Sequence, residues 1–230
     1  MPLLPLSDHV MLRLHVEAVW DVRLPPIEQE DSKLLTESRW PDWRLYAADV
    51  AGGRVHIWRQ DVTIAERARL LATLAAVLQA PPDAVLPSGV SREVAFRLAE
   101  APAIDPAAVR LLTRQLALDD YKLVEAFQAD SAADLLYAEC HPFIGVAMEG
   151  RLLSLAHSSR RTAEACELGI NTLPEARRRG YALAATVAWS AAISQEGLVP
   201  IYSAFAENTA SLALAVAAGY REFARATVLA

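Results

Sequence analysis

The sequence has 230 residues, of which 53% are hydrophobic, and its formal net charge is −6 at pH 7. Apolar content at this level is ample for a packed core, so we expect a globular protein. The acidic balance offers no electrostatic footprint for a polyanion, which argues against a nucleic-acid partner. Cys140 and Cys166, the only cysteines, form no CxxC pair and no Cys/His cluster at metal-ligand spacing. We therefore expect no disulfide framework and no metal, and a reducing cytoplasm fits best.

The apolar segments predict neither export nor membrane insertion. Residues 1–17 lack the basic region of a secretory signal. The longest apolar stretch, residues 181–193, falls short of the roughly 20 residues that cross a bilayer. We expect a cytoplasmic protein without a membrane partner. Lys33 and Lys122 are the only lysines, and this arginine bias, together with the high alanine content, favours a bacterial source.

The first part of the chain predicts a smaller α+β domain over residues 1–105. Residues 12–24 alternate apolar and polar side chains like a strand, and Gly52 and Gly53 separate two β-rich runs that predict a hairpin. Apolar residues at helical spacing over 63–79 predict a helix with Thr63 as its N-cap and with Pro81 and Pro82 as its stop. Residues 91–101 predict a second helix that ends before Pro102. No motif in this part indicates a role.

The second part, residues 106–230, predicts the order β-α-β-β-β-α-β-α-β. A strand at 109–112 precedes a helix that starts near Asp119, and Glu149 and Gly150 mark the turn of a hairpin. A strand at 165–172 breaks at Pro174. A basic, Gly-containing loop then leads into a long helix that Gly197 terminates, and a strand, a helix and a final strand follow.

The basic loop carries the clearest chemical signal in the sequence. It consists of Arg177, Arg178, Arg179, Gly180, Tyr181 and Ala182. A glycine at a junction between loop and helix lets the backbone approach a ligand, and the first N–H groups of a helix attract anions such as phosphate. The alternative is a solvated helix start, which the six residues alone do not exclude.

This loop resembles the acetyl-CoA signature [QR]-x-x-G-x-[GA] of the GNAT acyltransferase superfamily, with Arg177, Gly180 and Ala182 in the fixed positions. ELGINTLPEA before the loop is similar to the fourth strand of that family. Asn208, Ser211 and the Gly219-Tyr220 pair after it resemble the family's last motif. Within the superfamily the pattern looks most like the bacterial subgroup related to zwittermicin-resistance acetyltransferases. The resemblance covers about half of the chain.

The resemblance implies a C-terminal GNAT-like domain with a mixed, mostly antiparallel sheet flanked by helices. It also implies acetyl-CoA as co-substrate, lying in a V-shaped split between the strands at 165–172 and 200–206. Pantetheine would pair with the backbone of Ile170, Asn171 and Thr172, the pyrophosphate would lie on the N–H groups of residues 177–182, and Asn208 and Ser211 would contact the cofactor. Asn208 has an alternative role as an ordinary helix N-cap.

Acyl transfer to an amine needs a base for the ammonium proton and a donor for the thioester oxyanion. Glu167 is the candidate base, because it lies on the fourth strand near the position where family members often carry a glutamate. Strand alternation places it on one face with Gly169 and Asn171, with Leu168 and Ile170 on the other. The alternative for Glu167 is an exposed or ion-paired carboxylate. A backbone N–H near Ile170 could bind the oxyanion.

One position departs from the family. The tyrosine that protonates the thiolate in many members is replaced by Ala215, so water, Ser211 or Tyr202 would have to supply that proton. His157, Ser158 and Ser159 follow the third strand and could line the acceptor pocket, although a lone histidine there is more often structural.

Two functions follow from these observations. The first is an N-acetyltransferase acting on a primary amine of a small molecule, and the second is a catalytically weak acyl-CoA-binding sensor or interaction module. A homodimer stays open, and the acceptor amine cannot be read from the sequence. An unrelated nucleotide-binding protein is disfavoured, because no GxGxxG follows a strand and no P-loop is present.

Overall fold

A computed structural model of the chain describes residues 6–28, 30–35, 40–81 and 84–230. Its α-helices are α1 (Asp8–Trp20), α2 (Ile64–Gln79), α3 (Pro106–Leu112), α4 (Tyr121–Phe127), α5 (Ala129–Asp134), α6 (Tyr181–Gln195) and α7 (Thr209–Ala217). Its strands are β1 (Asp31–Lys33), β2 (Leu45–Val50), β3 (Gly53–Trp58), β4 (Val90–Leu98), β5 (Arg114–Leu116), β6 (Phe143–Met148), β7 (Arg151–Arg161), β8 (Ala165–Thr172), β9 (Val199–Phe205) and β10 (Tyr220–Leu229).

The chain divides into two compact units that are not continuous in sequence. The first unit combines Met1–Ala95 with Ala204–Asn208 and Glu222–Ala230, and the second combines Phe96–Ser203 with Thr209–Arg221. The C-terminal segment joins the first unit because β10 pairs antiparallel with β2, from Leu229↔Leu45 to Arg225↔Asp49. The domain boundary expected between residues 105 and 106 stays a prediction.

In the first unit, the strands follow the order β1-β3-β2-β10-β4. The hairpin predicted around Gly52 and Gly53 is confirmed, with β2 and β3 antiparallel from Leu45↔Trp58 to Val50↔Gly53. Helix α2 is also confirmed. Thr63 is its N-cap in a capping box with Glu66, which satisfies two N–H groups reciprocally. Leu74 and Val77 are its buried residues. It ends at Gln79, and Pro82, one of its two predicted stop residues, lies outside the described residues.

Two predictions in this part of the chain were wrong. Residues 12–24 were expected as a strand, but residues up to Trp20 form α1, capped by Ser7, whose side chain accepts a hydrogen bond from the N–H of Val10. Most residues from Met11 to Ala18 are buried, so the helical period is hidden and only the alternation is visible. Residues 91–101 were expected as a helix, but they lie largely in β4, where residues 93–96 are buried in succession. A strand buried on both faces loses its period of two, and such a run is easily mistaken for a helix.

The start of the second unit also differs from the prediction. Residues 109–112, expected as a strand, belong to helix α3, because Asp105 caps its N–H groups and Pro106 occupies the first helical position. The strand lies just after it, as β5, and pairs antiparallel with β6. The following α-helix begins at Tyr121 after a 3-10 turn at Leu118–Asp120.

In the second unit the strand order is β9-β8-β7-β6-β5. The β8–β9 pair is parallel, and the β7–β8, β6–β7 and β5–β6 pairs are antiparallel. The hairpin at Glu149 and Gly150, the strand β8, the helix α6, and the later elements β9, α7 and β10 are confirmed. The predicted α+β class, with a mixed, mostly antiparallel sheet flanked by helices in the C-terminal part, is therefore confirmed.

Helices cover this sheet on its two faces. Residues of β5, β6, β7, α4 and α5 form one core cluster, which includes Leu116, Val124, Leu135, Phe143 and Leu155. Helix α6 packs against β6, β7 and β8, and its Trp189 is fully buried. Within the described ranges, no helix combines the length and the apolar character needed to span a membrane.

Candidate active site

The parallel pair β8–β9 holds together over a short distance only. Its ladder joins Ala165 to Val199, Cys166 to Pro200 and Glu167 to Ile201, and no later rung joins the two strands among the described residues. Strand β8 continues to Thr172 and pairs on its other side with β7, for example Ile170 with Ala156. The edge of β8 that faces away from β7 therefore has unpaired backbone groups beyond Glu167, which an extended ligand could use as a strand would.

The loop after β8 leads into the N-terminus of α6. Gly180 is the N-cap of this helix, with φ +79° and no capping side chain, and a Cβ at this position would meet nothing within 4 Å. Arg178 also has a positive φ, +60°. The helical ladder starts with the N–H of Ala184 donating to the carbonyl of Gly180, so the preceding N–H groups have no helical acceptor. The junction has the open, donor-rich geometry that binds phosphate.

The side chains of this loop fall into two groups. Arg177, Arg178 and Arg179 are exposed, and the Nε of Arg177 donates to the carbonyl of Thr172 at 3.5 Å. Tyr181 is buried and its hydroxyl donates to the Sδ of Met148 at 3.3 Å, while Ala182 is half-buried. The three arginines are thus available to a ligand through their side chains. Tyr181 and Ala182 can contribute their backbone N–H groups.

Glu167 lies on the last rung of the β8–β9 ladder, where the split begins. Its carboxylate is half-buried, and each of its oxygens accepts a serine hydroxyl. Ser203 on β9 donates to Oε1 at 2.6 Å, and Ser159 on β7 donates to Oε2 at 3.2 Å. Sequence reasoning missed Ser203, because only the parallel register of Glu167 with Ile201 shows that a residue two positions later lies on the same face.

A β-bulge in β7 lies opposite Glu167 and includes Ser159. Ser158 pairs with Leu168 and Arg160 pairs with Glu167, so Ser159 is the extra residue between two rungs. Ser158, by contrast, donates to the carbonyl of His141 at 2.6 Å and lies 3.3 Å from the Nε1 of Trp189 on α6. The two successive serines therefore lie in different surroundings, as alternation along a strand requires.

His157 lies on the same face of the sheet as Glu167 but is packed into the protein. Its ring stacks on Phe143, with centroids 5.3 Å apart and an interplanar angle of 24°, and it occupies the space above Gly169. Burial lowers the pKa of His157, and the nearby carboxylate of Asp134 opposes that shift. His157 is thus a neutral, packed residue at neutral pH.

The end of β8 is held by side-chain hydrogen bonds. The amide of Asn171 donates to the side-chain oxygen of Gln128 at 2.9 Å, so Asn171 points to the face of the sheet on which Gln128 lies, between α4 and α5. Ser154 donates to the carbonyl of Asn171 at 3.1 Å and lies 2.8 Å from the hydroxyl of Thr172. These bonds fix residues 170–172 in an extended conformation beside the open edge.

A second hydroxyl pair lies on the opposite face of β9. The hydroxyls of Tyr202 and Ser211 are 2.9 Å apart, and burial raises the pKa of Tyr202 against the effect of that bond. Ala215, one helical turn after Ser211 on α7, is fully buried. Asn208 belongs to the first unit, directly precedes α7, and donates its N–H to the carbonyl of Phe205 at 2.9 Å.

No group of three or more His, Cys, Asp or Glu side chains that could hold a metal ion occurs in the part of the chain that the structure describes. Three features of the second unit could bind a ligand or take part in a reaction. They are the hydrogen-bonded carboxylate of Glu167 with Ser203 and Ser159, the open edge of β8, and the Gly180-capped N-terminus of α6.

Comparison with protein families gives a match over the part of the chain that contains β8 and β9. Residues 143–228 match the GNAT acetyltransferase family. The match includes β6 to β9, α6, α7 and most of β10, and the C-terminal part of the chain has the GNAT fold. No curated protein sequence matches the chain significantly.

Several solved structures resemble the chain. A putative GNAT-family acetyltransferase from Novosphingobium aromaticivorans is 24% identical, with a TM-score of 0.49, over 69% of this chain and 78% of its own. A GCN5-related N-acetyltransferase-like protein from Streptococcus suis is 15% identical, with a TM-score of 0.47, over 91% and 83%. The aminoglycoside N-acetyltransferase AAC(6')-Iy, solved in complex with CoA, is 19% identical, with a TM-score of 0.40, over 48% and 92%.

Proposed function

We propose that this protein is an acyl-CoA-dependent N-acyltransferase that moves an acetyl group from acetyl-CoA directly to a primary amine of a small molecule. The observation that carries the proposal is the split between β8 and β9, which opens at Glu167 and is followed on the same strand by the open edge of residues 168–172. The loop that leaves this strand ends at the Gly180-capped helix. An open strand edge and a phosphate-type helix N-terminus suit the binding of an acyl-CoA, and the carboxylate suits the removal of a proton from the amine.

Acetyl-CoA would use three parts of the second unit. Its pantetheine amides would pair with the backbone of Ile170, Asn171 and Thr172, and its pyrophosphate would accept hydrogen bonds from the first N–H groups of α6. The exposed side chains of residues 177–179 would reach the remaining phosphate oxygens. Ser211 on α7 would contact the pantetheine arm. A contact from Asn208 stays a prediction from the sequence.

The chemistry divides between the proton of the amine and the charge of the thioester. Glu167 would accept the proton of the ammonium, directly or through a water, so that the neutral nitrogen attacks the thioester carbon. An N–H of β8 near Ile170 would stabilise the oxyanion that forms. Collapse of this intermediate breaks the C–S bond and releases the CoA thiolate, which takes its proton from water, Ser211 or Tyr202.

The second candidate is a catalytically weak acyl-CoA-binding sensor or interaction module. The buried Ala215 at the position of the family's tyrosine supports it. The half-buried carboxylate of Glu167, hydrogen-bonded on both oxygens, supports the enzyme instead, because a binding module has no need of an oriented base. Four further points stay predictions. They are a cytoplasmic location in a bacterium, membership of the zwittermicin-resistance subgroup, formation of a homodimer, and a separate domain with its own role over residues 1–105.

The deciding experiment is a thiol-release assay with acetyl-CoA against a panel of amines, amino acids, polyamines and aminoglycosides, with thermal unfolding recorded in parallel. We expect amine-dependent release of CoA. Acetyl-CoA at 100 times its Kd should stabilise the fold by about 2.7 kcal/mol. Stabilisation without release for any amine would favour the sensor, and absence of both at millimolar acetyl-CoA would overturn the cofactor assignment.

A further inference from the structure

The carboxylate of Glu167 is held from two neighbouring strands, and its partners lie in the same face of the sheet. Ser203 follows the last parallel rung by two residues on β9, and Ser159 is the bulge residue of β7. We infer that Ser203 and Ser159 are positioning residues that hold Glu167 in the orientation needed to accept the proton of the acceptor amine. This inference rests on the proposed function and adds to it two residues that act through Glu167.

The two hydrogen bonds differ in strength. The Ser203 hydroxyl lies 2.6 Å from Oε1, within the range of about 2.5–2.7 Å that is typical of a hydroxyl donating to an ionised carboxylate. The Ser159 hydroxyl lies 3.2 Å from Oε2 and 3.3 Å from the main-chain carbonyl of Glu167, so it is shared between two acceptors. Ser203 therefore contributes most of the restraint, and Ser159 determines which way the second oxygen turns.

This arrangement leaves the carboxylate able to act as a base. An ionised carboxylate accepts hydrogen bonds through both oxygens, and each serine donates to one of them. A glutamate has three rotatable side-chain bonds, and fixing them before the substrate binds removes a cost that would otherwise fall on the reaction. The serines need not exchange a proton in this role, since they only donate to the carboxylate, and the carboxylate itself accepts the proton of the amine.

Strand geometry explains why the side chains of Ser203 and Ser159 point to the same face of the sheet as Glu167. Consecutive residues of β9 point to opposite faces, and Tyr202 accordingly bonds to Ser211 on α7 while Ser203 bonds to Glu167. The serines of β7 alternate in the same way, since Ser158 donates to the carbonyl of His141 while Ser159 donates to Glu167.

The test measures kcat and KM for Ser203→Ala, Ser203→Thr and Ser159→Ala. We expect Ser203→Ala to lower kcat roughly 10-fold or more with little change in the KM for acetyl-CoA, in line with the cost of a misplaced catalytic group. Ser203→Thr retains a hydroxyl and should recover most of the rate. Ser159→Ala should have the smaller effect, and both deficits should shrink at high pH, where the acceptor is already deprotonated.

Two further variants separate positioning from stability. In a Glu167→Gln background, Ser203→Ala should lower kcat no further, because groups that act as a unit are not additive. Ser190→Ala is the control, since Ser190 is a hydrogen-bonded serine of the second unit whose partners, Tyr220 and the carbonyl of Thr186, do not include Glu167. It should leave kcat unchanged.

The outcomes distinguish the inference from the proposed function. An active wild type whose kcat is unaffected by Ser203→Ala, or a Ser203→Ala that costs the same factor in the Glu167→Gln background, overturns the inference alone. A wild type that releases no thiol with any amine overturns the proposed function and the positioning role with it.

Discussion

His157 lies directly over Gly169 on the neighbouring strand, so closely that a Cβ on residue 169 would lie 2.5 Å from the Cε1 of the imidazole. The two residues are register partners of the antiparallel β7–β8 pair. Phe143 stacks on the other side of the ring and prevents it from moving away. The glycine therefore provides the space in which the histidine ring packs, two residues along β8 from Glu167.

This contact predicts that Gly169→Ala destabilises the fold by about 1–3 kcal/mol, the usual cost of inserting an atom into a well-packed site. Urea unfolding measures the loss. His157→Ala opens the space, so the double variant should be destabilised by less than the sum of the two single changes. Strict additivity would show that the two side chains do not compete for the same volume.

The same burial makes stability depend on pH. Because the pKa of His157 is lowered in the folded state, the unfolded chain binds a proton more readily at acidic pH. The free energy of unfolding therefore decreases as pH falls below the usual histidine value of about 6.5. His157→Phe keeps an aromatic ring against Phe143 without the titrating group, so its stability should decline less between pH 7 and pH 5. Parallel declines for both proteins would contradict this account.

Sequence patterns predicted the second unit well from the β6–β7 hairpin onward, because the elements there carry local signals. Gly150 and Gly197 have the positive φ angles, +75° and +80°, that only glycine adopts easily, and they mark a hairpin turn and a helix end. Gly180 has the same property at the N-terminus of α6. These positions are determined by the backbone within a few residues, so the sequence alone predicts them.

Two of the errors, at α1 and β4, concern segments whose structure depends on distant contacts. Helix α1 is buried around much of its surface, with His15 and Glu17 among its buried residues, and this burial erased the polar stripe that would have indicated a helix. In β4, Glu93 is buried because it accepts a hydrogen bond from Tyr46 and lies 2.9 Å from His15. No local pattern reveals such partners.

The residues of the candidate site also divide into those with a local sequence signal and those whose role depends on distant contacts. Glu167 and Gly180 could be named from the sequence, because each lies in a motif with a recognisable context. Ser203 could not, since its relation to Glu167 depends on a parallel pairing across 36 positions of sequence separation. Positioning residues are in general harder to predict than the groups they position.

The phosphate loop can be tested with a matched pair of glycines at the two ends of α6. Gly180 and Gly197 have φ angles of +79° and +80°, and a Cβ at either position meets nothing within 4 Å. Aspartate at the two sites should therefore cause similar backbone strain. Gly180→Asp should abolish the stabilisation by acetyl-CoA, because its carboxylate would repel the pyrophosphate from the helix N-terminus. Gly197→Asp should leave it intact, and thermal unfolding with and without acetyl-CoA compares them.

Equal ligand-dependent stabilisation of the two glycine variants would show that the loop is not the binding site. If both lost the response, the cause would be a general disturbance of α6. The unfolding of both variants without ligand measures the backbone strain alone, and therefore shows whether α6 is generally disturbed.

Glu167→Gln tests the assignment of the base. The amide keeps the size of the side chain and can still accept the hydroxyl of Ser203 through its oxygen, but it cannot take a proton. Turnover should fall roughly 100-fold or more, in the range of general-base catalysis, while the affinity for acetyl-CoA changes little. The loss should diminish at high pH, because a larger fraction of the acceptor amine is then neutral. A variant with wild-type turnover at neutral pH would remove Glu167 from the mechanism and leave solvent, or a residue of the first unit, as the proton acceptor. A uniform loss at all pH values, together with a weaker acetyl-CoA response, would instead mean that Glu167 supports the shape of the split and not its chemistry.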